Sequence, residues 1–185
     1  CFNNEGKVLW KKDLNEEYGI SANDRMPIWG IAASPLIYQN HVIVQIGAGN
    51  GAGLVAFDKQ TGTEVWKCLD DRAQYSSPII VQQAGRDVLV AWTGDSVAGI
   101  NPSNGEVAWR HPFPPRNMPI GVASPVYRNG QVFVTSFYDG SLMLRLRDDA
   151  LEVELVWARV GENERQTDAL QSIISTPVWI GDHLY

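Results

Sequence analysis

Tryptophan closes a short, strand-like run four times in this chain, and the run returns about every 45 residues. Trp66 ends the stretch Ala56-Phe57-Asp58-Lys59-Gln60-Thr61-Gly62-Thr63-Glu64-Val65-Trp66. Trp109 ends its counterpart, which passes through Asn101 and Asn104-Gly105. Trp10 closes a truncated copy and Trp157 a short one that begins at Val153. A second marker keeps phase with the first: Ser34-Pro35, Ser77-Pro78, Ser124-Pro125 and Thr176-Pro177. A fixed period of this length restricts the chain to repeat architectures, in which each unit buries its apolar face on the next.

Within each unit, runs of β-forming residues alternate with turns, and helical periodicity is hard to find. The unit at 29–69 holds runs at 31–38, 41–46, 54–57 and 63–67. They are joined by Gln39-Asn40, by a glycine-rich 47–53, and by 58–62. Units at 75–112 and 121–160 repeat this order, 1–14 is the end of one unit, and 172–185 opens another. The last turn of the third unit, Arg147-Asp148-Asp149-Ala150, departs from the pattern by lacking glycine. Four short strands per unit predict an all-β fold: a β-propeller of four-stranded antiparallel blades, present in part. A two-sheet sandwich would have no reason to restore the same tryptophan and turn in every unit.

The recurring residues have structural reasons to recur. A blade cannot bury both faces alone, and an indole on its outer strand covers roughly 200 Å² of a neighbour. Gly62 and Gly105 supply the positive φ that a tight turn needs. Asp58 can cap amides within its own turn. Trp10, Trp66, Trp109, Trp157, Gly62, Gly105 and Asp58 are therefore expected to hold blades together.

Composition narrows the partners. Fifteen basic against 21 acidic residues give a net charge of −6, with no basic stripe, so nucleic acid is not an expected partner. No apolar run approaches the roughly 18 residues of a membrane span. Cys1 and Cys68 do not form a disulfide framework, and the repeat register sets Cys1 inside a strand, against a lipidated terminus. The glycine-rich 42–52 superficially matches a dinucleotide fingerprint, but a strand follows it where a helix is required. Gly94-Asp95-Ser96-Val97-Ala98 lacks the second glycine of a nucleophile elbow. His41, His111 and His183 have no metal-ligand spacing.

Ala56-Phe57-Asp58 with Thr61-Gly62 and Trp66 resembles the tryptophan-docking motif of the pyrroloquinoline-quinone (PQQ) repeat propellers, and the Ser-Pro openings are similar to that family too. The resemblance covers nearly the whole chain. It implies about eight blades, of which this chain would hold about four, and a periplasmic or otherwise extracytoplasmic location. It is nearer to the non-catalytic outer-membrane assembly type than to the quinoprotein dehydrogenases. The dehydrogenases sandwich PQQ against a disulfide of adjacent cysteines and hold calcium with acidic and amide side chains. No residue here matches that site, so PQQ and calcium enter only if residues outside this stretch carry it. The chain offers no catalytic residue and no metal ligand of its own, and whether the whole protein is an enzyme stays open.

In a propeller, the loops leading from one blade to the next gather on one face. Here they are 11–28, 68–74, 111–120 and 158–171, the longest polar stretches of the chain. Each carries an arginine: Arg25, Arg72, Arg116 (followed by Asn117) and Arg165. Arginine is favoured at interfaces, which makes this face the expected site for a protein partner or ligand. Three functional readings follow: a protein-interaction scaffold, a fragment of a PQQ-dependent alcohol or sugar dehydrogenase, and a sensor propeller attached to another domain such as a kinase.

Overall fold

The computed structural model describes residues 1–20 and 27–185. Strands β1 (Leu36–Tyr38), β2 (His41–Ala48), β3 (Ala52–Asp58) and β4 (Glu64–Cys68) make one antiparallel sheet in chain order. β5 (Ile79–Gln83), β6 (Arg86–Trp92), β7 (Ser96–Ile100) and β8 (Val107–Pro112) make the second. β9 (Val126–Arg128), β10 (Gln131–Ser136), β11 (Gly140–Leu146) and β12 (Val153–Arg159) make the third, and β13 (Trp179–Ile180) with β14 (His183–Leu184) a two-stranded start of another. The expected all-β, four-stranded blades are present. The glycine-rich 47–53 is the hairpin between β2 and β3, as an antiparallel pair demands.

The apolar core lies between sheets. Ile43, Leu54, Ala56 and Trp66 of the first blade pack on Leu89, Ala91, Ala98 and Ile100 of the second. Val90, Trp92, Val97 and Trp109 of the second pack on Val132, Val134, Leu142 and Leu144 of the third. Each blade is thus completed by its neighbour, the behaviour of a quasi-one-dimensional repeat.

The tryptophans show how the blades lock. The Trp10 indole Nε1 donates to the Lys59 carbonyl at 3.0 Å, in the β3–β4 turn. Trp66 does the same one blade on, donating to the Pro102 carbonyl at 3.2 Å. The indoles lie on the turn glycines so closely that a Cβ on Gly62 would sit 2.9 Å from Trp10, and one on Gly105 2.7 Å from Trp66. Glycine is required there twice over, because φ is +73° at Gly62 and +76° at Gly105. Asp58 Oδ1 accepts from the Gln60 and Thr61 amides, both at 2.9 Å, which fixes the turn the indole rests on.

Trp109 meets the glycine-free turn and solves the problem differently. Its Nε1 donates to Gln83 Oε1 at 2.8 Å, and Gln83 Nε2 donates onward to the carbonyls of Ala150 (3.1 Å) and Glu152 (2.7 Å). A buried glutamine relays the bond that a carbonyl accepts directly in the other two docks. Trp157 packs on Phe133 of its own blade, with ring centroids 5.8 Å apart.

Two sequence expectations shift. The innermost strands begin later than the runs at 31–38, 77–81 and 122–127, starting only after the proline at Leu36, Ile79 and Val126. Proline has no N–H for a ladder. The preceding residues link blades instead: the Ser34 N–H donates to Ser77 Oγ at 3.0 Å, and the Ser124 N–H to Thr176 Oγ1 at 3.1 Å. Secondly, the 11–28 loop contains one helical turn, α1 (Leu14–Glu17), capped by Asp13, whose Oδ1 accepts from the Asn15 and Glu16 amides at 3.1 Å. One turn is too short to show periodicity in sequence.

Candidate functional site

In the second and third blades a hairpin carboxylate organises the loop face. In the second blade, the β6–β7 hairpin presents Asp95. Its Oδ2 accepts the Arg72 backbone N–H at 2.7 Å, and its Oδ1 accepts Arg72 Nε (3.1 Å) and Nη2 (2.7 Å). The Gly94 N–H returns a bond to the Arg72 carbonyl at 2.8 Å. Partial burial pushes the Asp95 carboxyl up, but the Arg72 side chain, the Arg72 amide and the nearby Arg110 outweigh it and hold it below its ordinary range. Beside it, Asp71 is 5% exposed and accepts from Thr93 Oγ1 at 2.6 Å, Ser96 Oγ at 2.5 Å and Arg110 Nη2 at 2.8 Å. Ser96 also accepts from Arg110 Nε at 3.0 Å, so its hydroxyl belongs to this buried network. A shallow cleft opens above, lined by Asp70, Asp71, Asp95, Arg110, Pro112 and Pro114.

The third blade repeats the plan with a different ending. Asp139 of the β10–β11 hairpin accepts the Arg116 N–H at 2.7 Å on Oδ1 and Ser136 Oγ at 2.9 Å on Oδ2. With that carboxylate occupied, the Arg116 guanidinium turns to two carbonyls, Tyr138 at 2.7 Å and Gly161 at 3.3 Å. Its Nη2 is thereby fixed on neutral acceptors and, among the described residues, it makes no ion pair. Arg72 is neutralised by Asp95; Arg116 is held in place by carbonyls and, among the described residues, meets no carboxylate.

Beneath the loops, buried amides bind the blades to each other. Gln45 Oε1 accepts the Gln74 N–H at 2.8 Å, and Gln45 Nε2 donates to the carbonyls of Ser76 (3.1 Å) and Trp92 (3.3 Å). Gln74 Oε1 accepts the Gly121 N–H at 2.9 Å, and its Nε2 donates to the Trp92 carbonyl at 3.2 Å. Three consecutive units are joined through two side chains. Above them stands Trp29, 67% exposed although its position is fixed. Its backbone N–H donates to the Tyr75 hydroxyl at 2.8 Å, and the two rings lie 5.5 Å apart.

The arginines of the four loops therefore part company. Arg25 lies outside the described residues. Arg72 is tied to Asp95. Arg116 is exposed beside exposed Asn117, and Arg165 is exposed, its backbone N–H donating to Asn163 Oδ1 at 2.9 Å. The structure links Arg116 to the 158–171 loop that carries Arg165, through Gly161, while the Arg72 guanidinium is engaged by Asp95. Asp95, Asp139 and Trp29 are not among the residues that the sequence marks as a site. A Thr or Ser two or three residues before an aspartate in the same hairpin slot marks the first two, and Trp29 is marked by falling out of phase with the other docking tryptophans.

A family model described as the outer membrane protein assembly factor BamB matches residues 1–185. The chain belongs to the BamB family. Among solved structures, the crystal structure of BamB from Moraxella catarrhalis matches it with a TM-score of 0.57 at 18% identity, over 84% of this chain and 46% of that one. At that identity the likeness concerns the fold, and the chain spans about half the length of that BamB. No curated protein matches. Membership agrees with the PQQ-like repeat read from Trp66 and Trp109, and with its assembly-factor branch. Among the described residues no helix is long and apolar enough to cross a membrane.

Proposed function

We propose that this BamB-family segment is part of a non-catalytic scaffold that holds a protein partner on its loop face, in an extracytoplasmic compartment. The observation that carries the reading is the fixed exposure of Arg116 and Trp29. Arg116 is oriented by two carbonyls and, among the described residues, paired with no carboxylate, and Trp29 is held by Tyr75 through its backbone N–H and a ring contact yet mostly open to solvent. Side chains ordered before binding lose less entropy on association, and Trp and Arg are the residue types that dominate binding hot spots. The partner this chemistry fits is a protein surface offering a carboxylate and an apolar side chain.

The quinone reading finds a poor fit in these residues. Cys1 is exposed, Cys68 is buried, and both are free. Among the described residues no three His, Cys, Asp or Glu side chains group to hold a metal ion. Site-specific photo-crosslinking in the intact envelope tests the scaffold. A crosslinker at Trp29 or Asn117 is expected to trap a discrete protein, one at Lys59 on the opposite turns is expected to trap none, and Arg116→Ala to weaken the first adduct. Equal capture from both faces, or dye-linked alcohol oxidation by the full-length protein with PQQ and calcium, overturns it.

A further inference from the structure

Three Asn-Gly pairs occur in the chain, Asn50-Gly51, Asn104-Gly105 and Asn129-Gly130, and all lie in turns. Such pairs are the usual starting point of spontaneous deamidation, since glycine leaves its own backbone nitrogen open to the asparagine side chain. The reaction needs that nitrogen stripped of its proton and free to swing onto Cγ. In the folded chain the three pairs differ in this respect. The Gly105 N–H donates to the Asn101 carbonyl at 2.9 Å, while Asn104 Oδ1 is held by the Glu106 N–H at 3.0 Å, so nucleophile and electrophile are both tied. The Gly51 N–H donates to Asp70 Oδ1 at 3.3 Å. Among the described residues neither the Gly130 N–H nor the Asn129 carboxamide has a hydrogen-bond partner, and Asn129 is exposed.

We propose that Asn129 is the deamidation site of this chain. The Gly130 backbone nitrogen, its proton taken up by solvent, bonds to Asn129 Cγ. The Cγ–Nδ2 bond breaks and ammonia leaves, giving a five-membered succinimide. Water then opens the ring at either carbonyl, to aspartate or to isoaspartate. The second product matters for the fold. Asn129 (φ +49°) and Gly130 (φ +75°) form the two-residue turn that pairs Arg128 with Gln131 between β9 and β10. Isoaspartate adds a methylene to the main chain of that turn, where two-residue hairpins fix strand register. β9 carries Tyr127, whose hydroxyl donates to the Gln82 carbonyl of the neighbouring blade at 3.3 Å. Conversion is therefore expected to loosen the inner contact between the second and third blades.

The test is peptide mapping by mass spectrometry after incubating the chain at neutral pH in heavy-oxygen water, folded and in denaturant. Folded, Asn129 should take up label at least roughly tenfold faster than Asn104, whose two hydrogen bonds must both be given up. In denaturant the three rates should converge. Comparable rates in the folded chain, or the same ranking in denaturant, overturn the proposal. Asn129→Gly keeps the turn and should abolish the fast phase; a fast phase that persists in it has the same consequence.

Discussion

Replacing Gln83 by alanine tests whether the glutamine relay locks the second blade to the third. The side chain is 3% exposed and makes three hydrogen bonds, from Trp109 Nε1 and to the carbonyls of Ala150 and Glu152. Gln83→Ala orphans the indole N–H, since Trp109 is 7% exposed, and an unsatisfied buried donor costs about 1–3 kcal/mol. The two carbonyls belong to a half-exposed turn and regain water, so their loss adds only about 0.5–1 kcal/mol. The expected destabilisation is about 1.5–4 kcal/mol, or roughly 3–16 °C in Tm for a chain of this size. Equilibrium urea unfolding of Gln83→Ala, Trp109→Phe and the double variant isolates the coupling, because phenylalanine removes the donor while keeping an aromatic ring. A coupling of about 1 kcal/mol or more is expected. Additive single variants, or a Gln83→Ala cost below about 0.5 kcal/mol, would show that Trp109 docks by apolar contact alone and refute the relay.

Other expectations follow from the same geometry. Gly85 and Gly105 share a positive φ (+71° and +76°), but only Gly105 lies against an indole. Gly85→Ala should cost about 1–2 kcal/mol for backbone strain, and Gly105→Ala about 1–3 kcal/mol more in thermal or urea unfolding. The Asp95 carboxyl sits below its ordinary range in the fold, so its stabilisation is present above the unfolded value of about 4 and is lost as pH falls through the lower folded value. Acid titration of stability in that window should flatten in Asp95→Asn, and an unchanged profile contradicts the Arg72 clamp. Burial, with a smaller contribution from Asp71, pushes the Cys68 thiol up to about 12. A thiol reagent at neutral pH should thus modify Cys1 and reach Cys68 only on unfolding. The sign is that of a raised acid: Cys68 favours the fold at neutral pH and loses that contribution as pH climbs from about 8.5 towards 12.

How much of this was legible in sequence depends on whether a residue acts locally or across blades. The strand–turn order, the docking tryptophans and their glycines were legible because each unit repeats them, and repetition separates signal from chance. The Ser-Pro marker was visible, but its work was not: the Ser77 and Thr176 hydroxyls accept amides from residues 43 and 52 positions away. The loop arginines were seen as a set, yet they divide according to hairpin carboxylates distant in sequence. Asp95 is free to take the Arg72 guanidinium, whereas Ser136 occupies the corresponding oxygen of Asp139 and turns Arg116 outward. A single hydroxyl in the hairpin thereby decides whether a loop arginine stabilises its own blade or faces a partner. Thr93 stands near the slot of Ser136, but its hydroxyl donates to Asp71 and leaves Asp95 to the arginine. The Asp71→Ala variant should release Thr93 and Ser96 to compete with Arg72 for Asp95, since a hydroxyl in reach of a carboxylate makes a charge-assisted bond. Loss of the Arg72–Asp95 pair in that variant, read by a double-mutant cycle with Arg72→Ala that falls to zero, is the expected outcome. A cycle unchanged from the parent protein would mean that the hairpin hydroxyl does not set the fate of the arginine, and the distinction drawn between Arg72 and Arg116 would fall with it.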